Sequence, residues 1–173
     1  MNYRIITSSD WQQLAQYYRR NHDHFRRWEP IREHGFHSNA QWQQRIHRCL
    51  SEQQQMKSCY YIAIDESLPH IVGHCTLSQM VYGPFRAAYM GYGIDQDYEG
   101  QGIMYTLCQN VIQSAFGELG LHRIMANYMP KNHRSAALLE RLGFTIEGRA
   151  QGYLHINGRW EDHILTALVN TED

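Results

Sequence analysis

Long apolar runs are missing from this sequence. No segment approaches the roughly 20 consecutive apolar residues needed to cross a bilayer, so a soluble, cytoplasmic protein without membrane contact is expected. Proline is scarce, with 4 in 173 residues, and no linker, repeat or low-complexity segment interrupts the chain, so a single domain over residues 1–173 is expected. Cysteine is equally sparse: Cys49, Cys59, Cys75 and Cys108 are widely spaced, form no Cys-x-x-Cys, and follow no secretory pattern at Met1-Asn2-Tyr3-Arg4. They read as reduced thiols. An excess of either charge is also absent: 16 Lys and Arg oppose 17 Asp and Glu, a formal net charge of −1. That balance gives no global attraction to nucleic acid or membranes, although eleven histidines make the surface more positive in mild acid. The basic cluster from Arg19 to Arg27 reads as cations at a helix C-terminus, not as an RNA site. His22, His24, His34 and His37 lack a neighbouring cysteine pair or a His-Glu-x-x-His helix, so no metal site is expected.

What the chain does contain is a 43% hydrophobic, 12% aromatic composition able to build a sizeable core, and one short stretch with a chemical meaning. Tyr98-Glu99-Gly100-Gln101-Gly102-Ile103-Met104 lies between the strand-like Ala88–Ile94 and an amphipathic helix marked by Leu107, Val111, Ala115 and Phe116. Two glycines one residue apart allow a tight turn, expose consecutive N–H groups, and bring the positive end of a helix dipole to an anion. The pattern is not a dinucleotide fingerprint, because Tyr105 stands where a third glycine is needed, and no Gly-Lys-Ser or Gly-Lys-Thr follows to make a Walker loop. A pyrophosphate held by the backbone of Gly100, Gln101, Gly102, Ile103 and Met104 remains, against the plainer reading of a turn before a helix.

Periodicity and caps set the order of elements. Ser9-Asp10-Trp11-Gln12 and Ser38-Asn39-Ala40-Gln41 each have the Ser-x-x-Gln form of a helix start, followed by Trp11, Leu14 and Tyr18 and by Trp42, Ile46 and Leu50 on single faces. Between them lies a loop around Trp28-Glu29-Pro30. Cys59–Ile64 and Ile71–Leu77 read as an antiparallel hairpin extended through Gly83-Pro84 to the strand ending at Ile94. After the long helix, ending near Gly120, Arg123–Tyr128 reads as a strand stopped by Pro130. Asn132 caps a helix carrying Ala136, Leu139 and Leu142, and Gly143 closes it. A final hairpin turns at Ile156-Asn157-Gly158-Arg159 with type I′ chemistry. The result is β-α-α-β-β-β-α-β-α-β-β, an α+β (mixed α/β) arrangement of about seven strands and four helices.

A second motif follows the glycines by about thirty residues: Asn132-His133-Arg134-Ser135, then Glu140-Arg141-Leu142-Gly143-Phe144. Together the two motifs resemble the GNAT acetyltransferases, whose pattern is Gln/Arg-x-x-Gly-x-Gly/Ala followed by Asn-x-x-Ser…Glu-x-x-Gly-Phe. Phe25-Arg26-Arg27-Trp28-Glu29-Pro30, Leu121–Pro130 and Ile156–His163 are similar to the RimJ/RimL branch, which modifies ribosomal proteins, and to its alanine-directed, RimJ-type members. The resemblance covers nearly the whole chain and implies a central, mostly antiparallel mixed sheet. It also implies acetyl-CoA as co-substrate without a metal, and the N-terminal α-amine of a ribosomal protein, with alanine as its first residue, as acceptor. Lysine side chains or small amines such as polyamines, and a non-catalytic acetyl-CoA-binding role in ribosome assembly, are the alternatives. Association with the ribosome or its precursor is compatible with it, without sequence-specific nucleic-acid binding.

By that resemblance, the strand ending at Ile94 pairs with the pantetheine arm and Asn132 bonds to it or simply caps its helix. Ser135 is the candidate proton donor for the leaving thiolate, or another cap; the tyrosine that many family members use is replaced by Leu139. Glu29 is the candidate base, or an exposed loop carboxylate, and Asp162 and His155 are weaker candidates near the acceptor. Trp28 is a groove wall or core. Asp97 stands where the family pattern has Gln or Arg and is expected to face solvent, since a carboxylate aimed at a pyrophosphate repels it. An α-amine, with a pKa near 7.7–8.0, is already partly neutral at pH 7 and needs little base catalysis.

Overall fold

Seven strands form one sheet in the order β1-β2-β3-β4-β5-β7-β6, and the computed structural model describes residues 1–172. β1 (Asn2–Ile5), β2 (Cys59–Asp65), β3 (His70–Val81) and β4 (Ala87–Ile94) make an antiparallel meander. β5 (Arg123–Met125) lies parallel to β4, and β6 (Thr145–Ile156) and β7 (Arg159–Val169) add a hairpin with β7 against β5. The order of elements predicts a mixed sheet, and the resemblance implies the mostly antiparallel form observed. Asn157 (φ 45°) and Gly158 (φ 80°) adopt the left-handed conformations that a two-residue hairpin needs.

Among the described residues five α-helices accompany the sheet, one more than expected: α1 (Trp11–Arg20), the single-turn α2 (His22–Phe25), α3 (Asn39–Gln54), α4 (Ile103–Phe116) and α5 (His133–Arg141). Ser38 caps α3 as read, accepting the Gln41 N–H at 3.3 Å. Ser9 does not cap the first helix. The chain turns two residues earlier, where the Thr7 N–H donates to the Asp10 carboxylate at 2.6 Å and Arg4 clamps the same carboxylate at 2.7 and 2.8 Å. A charged acceptor bonded to both partners outcompetes a serine hydroxyl. α4 likewise ends at Gly117, and Gly120 (φ 60°) instead serves the turn into β5.

The sheet is covered on both sides along β2 and β3. Tyr61, Ala63 and Leu77 pack on Leu107, Val111 and Ala115 of α4 and Leu139 of α5. Ile62, Ile64 and Ile71 meet Leu14 and Tyr17 of α1 and Trp42 and Ile46 of α3. Burial on both faces explains the continuous apolar character of β2. All four cysteines are free thiols.

The site is positioned by a divergence of two strands. β4 and β5 pair only through Ala87–Tyr89 and Arg123–Met125. Beyond Met125 the chain stays with β7, through Ala126 N–H to the Thr166 carbonyl and a bridge from Tyr128 to Ile164, which is why the expected strand Arg123–Tyr128 is cut short. β4 continues beside β3 to Ile94. A wedge-shaped notch opens between them, and one edge of β4 has no strand partner there.

Candidate active site

The glycine stretch forms an open, tight turn at the start of α4. Gly100 (φ 74°) and Gly102 (φ 76°) are both left-handed, and a Cβ at either would meet only open space. Their freedom is therefore used for backbone shape and for access. No side chain caps α4, and the N–H groups from Gly100 to Tyr105 donate to no acceptor among the described residues. Such an exposed, unsatisfied helix start is matched to an anion. Asp97 is exposed, as expected; its backbone carbonyl accepts from Gln101 Nε2 at 3.1 Å.

Asp95 anchors the entry to this loop and is buried. Its carboxylate accepts from Arg20 Nε at 2.7 Å, Asn21 Nδ2 at 3.0 Å and the Asp97 N–H at 3.1 Å. Burial alone raises its pKa, but these bonds outweigh burial and hold it below the ordinary carboxylate range.

The free edge of β4 leads from the glycine turn into the notch. Because the Asp95 N–H donates to the Val72 carbonyl, antiparallel alternation turns the backbone groups of Gly91 and Gly93 toward β3 and those of Met90, Tyr92 and Ile94 into the notch. Asn132 and Ser135, at the start of α5, face the same opening. Asn132 Oδ1 accepts the Ser135 N–H at 3.2 Å, so its capping role is realised, and its Nδ2 makes no bond among the described residues. Ser135 Oγ lies 2.6 Å from the Tyr92 hydroxyl. Burial pushes the Tyr92 phenol well above its usual range, partly offset by the bond to Ser135, so it stays protonated.

A second opening, a cleft of about 460 Å³, is lined by Arg27, Trp28, Lys131, Asn157, Arg159 and Glu161. The loop bearing Trp28 and Glu29 is pinned to the β6–β7 turn by the Asn157 N–H donating to the Glu29 carbonyl at 3.0 Å. Trp28 is thus a cleft wall. The Glu29 side chain is half-buried and has no hydrogen-bond partner among the described residues; burial raises its carboxyl pKa, with Arg32 and His22 pulling it back in part. Asp162 does not line the cleft. Its Oδ1 accepts the Gly152 N–H at 2.9 Å and its Oδ2 accepts from Arg149 at 2.8 Å, plugging a bulge in β6. The neighbouring Glu161 faces the cleft and pairs with Lys131 at 2.9 Å. His155 is exposed and packs on Trp160.

An open helix start, an unpaired strand edge and a hydroxyl pair thus meet at the strand divergence. Residues 1–145 match the model of the GNAT acetyltransferase domain, and the chain belongs to that family. It is an acetyl-CoA-dependent N-acyltransferase. The chain is 38% identical to [ribosomal protein uS5]-alanine N-acetyltransferase of Escherichia coli K12, covering 98% of this chain and 87% of that one. A solved ribosomal-protein-S5-alanine acetyltransferase from Vibrio fischeri superposes with a TM-score of 0.96 at 40% identity, over 98% of this chain and 93% of that one. RimJ of Mycobacterium smegmatis, solved in complex with CoA-disulfide, gives a TM-score of 0.91 at 26% identity, over 98% and 82%.

The residues present fit coenzyme A. The unpartnered amides from Gly100 to Tyr105 suit its pyrophosphate, and the open β4 edge suits the amides of its pantetheine arm. Tyr92 was missed from sequence because its hydroxyl meets Ser135 across 43 positions. The one available signal was a tyrosine in a strand whose edge was already assigned to the cofactor.

Proposed function

We propose that this protein transfers the acetyl group of acetyl-CoA to the N-terminal α-amine of a ribosomal protein, with alanine as the favoured first residue. The observation that carries this reading is the 38% identity to a uS5-alanine N-acetyltransferase along almost the entire chain, including both cleft-forming segments. The family match ends at residue 145, yet β7 pairs with β5 and Arg159 and Glu161 line the cleft, so residues 1–173 are taken to act as one catalytic domain.

Acetyl-CoA supplies an activated thioester. The backbone from Gly100 to Met104 holds its phosphates, and Ile94, with Tyr92, offers backbone groups to its arm beside the Asn132 amide. Glu29 accepts the proton of the incoming amine, directly or through water, which its desolvated and unpaired carboxylate favours. Ser135 gives its proton to the departing thiolate and regains one from solvent, while the Tyr92 O–H, bonded to Ser135 Oγ and held protonated by burial, orients it. Trp28 and Glu161 line the path of the acceptor. The Arg27, Lys131 and Arg159 side chains around the cleft disfavour a polycationic amine and support a peptide.

The test is incubation with acetyl-CoA and short peptides varied at the first residue, alongside lysine-only peptides and polyamines, with the acetyl group located by mass spectrometry. Modification confined to the α-amine and strongest for alanine is expected. Modification of lysine or polyamines alone removes the proposal.

A further inference from the structure

The acceptor cleft carries more positive charge than its own carboxylates neutralise. Lys131 is matched by Glu161 at 2.9 Å. Arg27 and Arg159 line the same cleft and make no ion pair among the described residues; Arg27 only faces the Trp28 ring, at 6.0 Å. The neighbouring Arg149, by contrast, is held by Asp162 at 2.8 Å. A guanidinium presents a rigid fork of donors that matches a carboxylate with two parallel hydrogen bonds. The ammonium form of a bare acceptor amine is repelled here, whereas a peptide that brings its own carboxylate is drawn in.

We infer that the cleft selects acceptor peptides bearing an acidic side chain within the first few residues after the amine, held by Arg27 and Arg159. The inference rests on the α-amine reading above and adds a sequence requirement to it. An extended chain advances about 3.3 Å per residue, and a cleft of about 460 Å³ takes only a short segment, so the carboxylate belongs near the peptide's start. The same two cations lower the pKa of a nearby amine and enlarge its neutral, nucleophilic fraction, while Glu29 on the adjoining loop receives the proton.

Binding measured by calorimetry with CoA present, which cannot react, tests this separately from turnover. Alanine-led hexapeptides carry one Glu, or one Gln as control, at each of positions two to five. At one or two positions the Glu peptide is expected to bind about tenfold more tightly, with the preference shrinking as salt is raised. In the Arg27→Gln, Arg159→Gln double variant the preference should collapse, and the double Lys variant should retain part of it. Equal binding of Glu and Gln peptides at every position overturns the inference, as does a preference that survives the Gln substitutions or an absence of peptide binding. A ribosomal RNA helix whose binding is lost in the double variant, without any Glu preference, assigns the arginines to nucleic acid and also overturns it. Acetylation of lysine or polyamines only, in the separate mass-spectrometric assay, strikes the proposed function instead.

Discussion

Ser135 and Tyr92 are worth considering first as a pair, because their 2.6 Å hydroxyl contact uses one of the two protons and leaves the other free. If Tyr92 donates, the Ser135 proton is left for the thiolate. Ser135→Ala is expected to lower kcat by about 100-fold or more, in the range of general acid catalysis, while CoA affinity measured by calorimetry stays within about threefold. Tyr92→Phe is expected to lower kcat by about tenfold, since Ser135 loses its orienting partner but keeps its proton. Unchanged turnover in Ser135→Ala removes the serine from proton transfer. Glu29 makes a prediction through pH. Its raised carboxyl must be ionised to accept a proton, and the acceptor amine must be neutral. Log kcat/KM should therefore fall with slope one below the amine pKa, and steepen to slope two below that of Glu29. Glu29→Gln should keep slope one throughout at a reduced rate; an identical profile in both proteins excludes the carboxylate. Asp162 shows why a single residue step matters in a strand. The bulge between Ala150 and Leu154 of β6 is filled by the Asp162 carboxylate, and adjacent strand residues point to opposite faces, so the cleft receives Glu161.

At the scale of elements, β4 carries the site and α1 supports it from behind. The Tyr17 hydroxyl lies 2.9 Å from the Gly93 carbonyl and 3.0 Å from His74 Nδ1. A Cβ on Gly93 would stand 2.6 Å from His74 Cε1, and the ring is buried and held by Tyr17. Gly93→Ala is expected to destabilise the protein by about 1–3 kcal/mol, the usual cost of overpacking, read from urea unfolding. Gly102→Ala should behave differently. Its φ of 76° strains an alanine but no atom lies within 4 Å, so stability should fall by only about 1 kcal/mol while CoA affinity drops. Equal stability losses in the two variants would contradict this division of labour. The start of α4 and the capping of α5 by Asn132 were legible in sequence because they depend on residues a turn apart, whereas the end of α4 falls at Gly117 and not near Gly120. The support of β4 by Tyr17 was not, since that contact spans 76 positions.

For the whole molecule, the interior beneath α1 and α3 sets the acid limit of stability. Burial, with a small contribution from His37, lowers the His74 pKa to about 3, and burial together with Arg45 and Arg32 lowers His37 to about 4. In the unfolded chain both titrate near 6.5. The unfolded state therefore binds more protons as pH falls below about 6.5, and stability declines from there toward pH 4 and then 3. The expected loss is on the order of 1 kcal/mol per pH unit between pH 6 and 4, visible as a falling urea midpoint. The lowered Asp10 and Asp95 carboxylates add to the loss at still lower pH, while the raised Glu29 opposes it. A midpoint constant from pH 7 to 5 would mean that the two imidazoles are not neutral in the folded state.

The sequence alone determined the element order, the mixed sheet, the glycine turn before α4 and the membership of the family. Each depends on local periodicity, on caps and glycines within a few residues of one another, or on motif spacing. The notch between β4 and β5, the Tyr92–Ser135 contact, the desolvation of Glu29 and the turning of Glu161 in place of Asp162 were decided only by tertiary structure. Divergence of paired strands, burial of a charge and the phase shift of a bulge are properties of neighbours brought together from distant parts of the chain, and no local pattern records them.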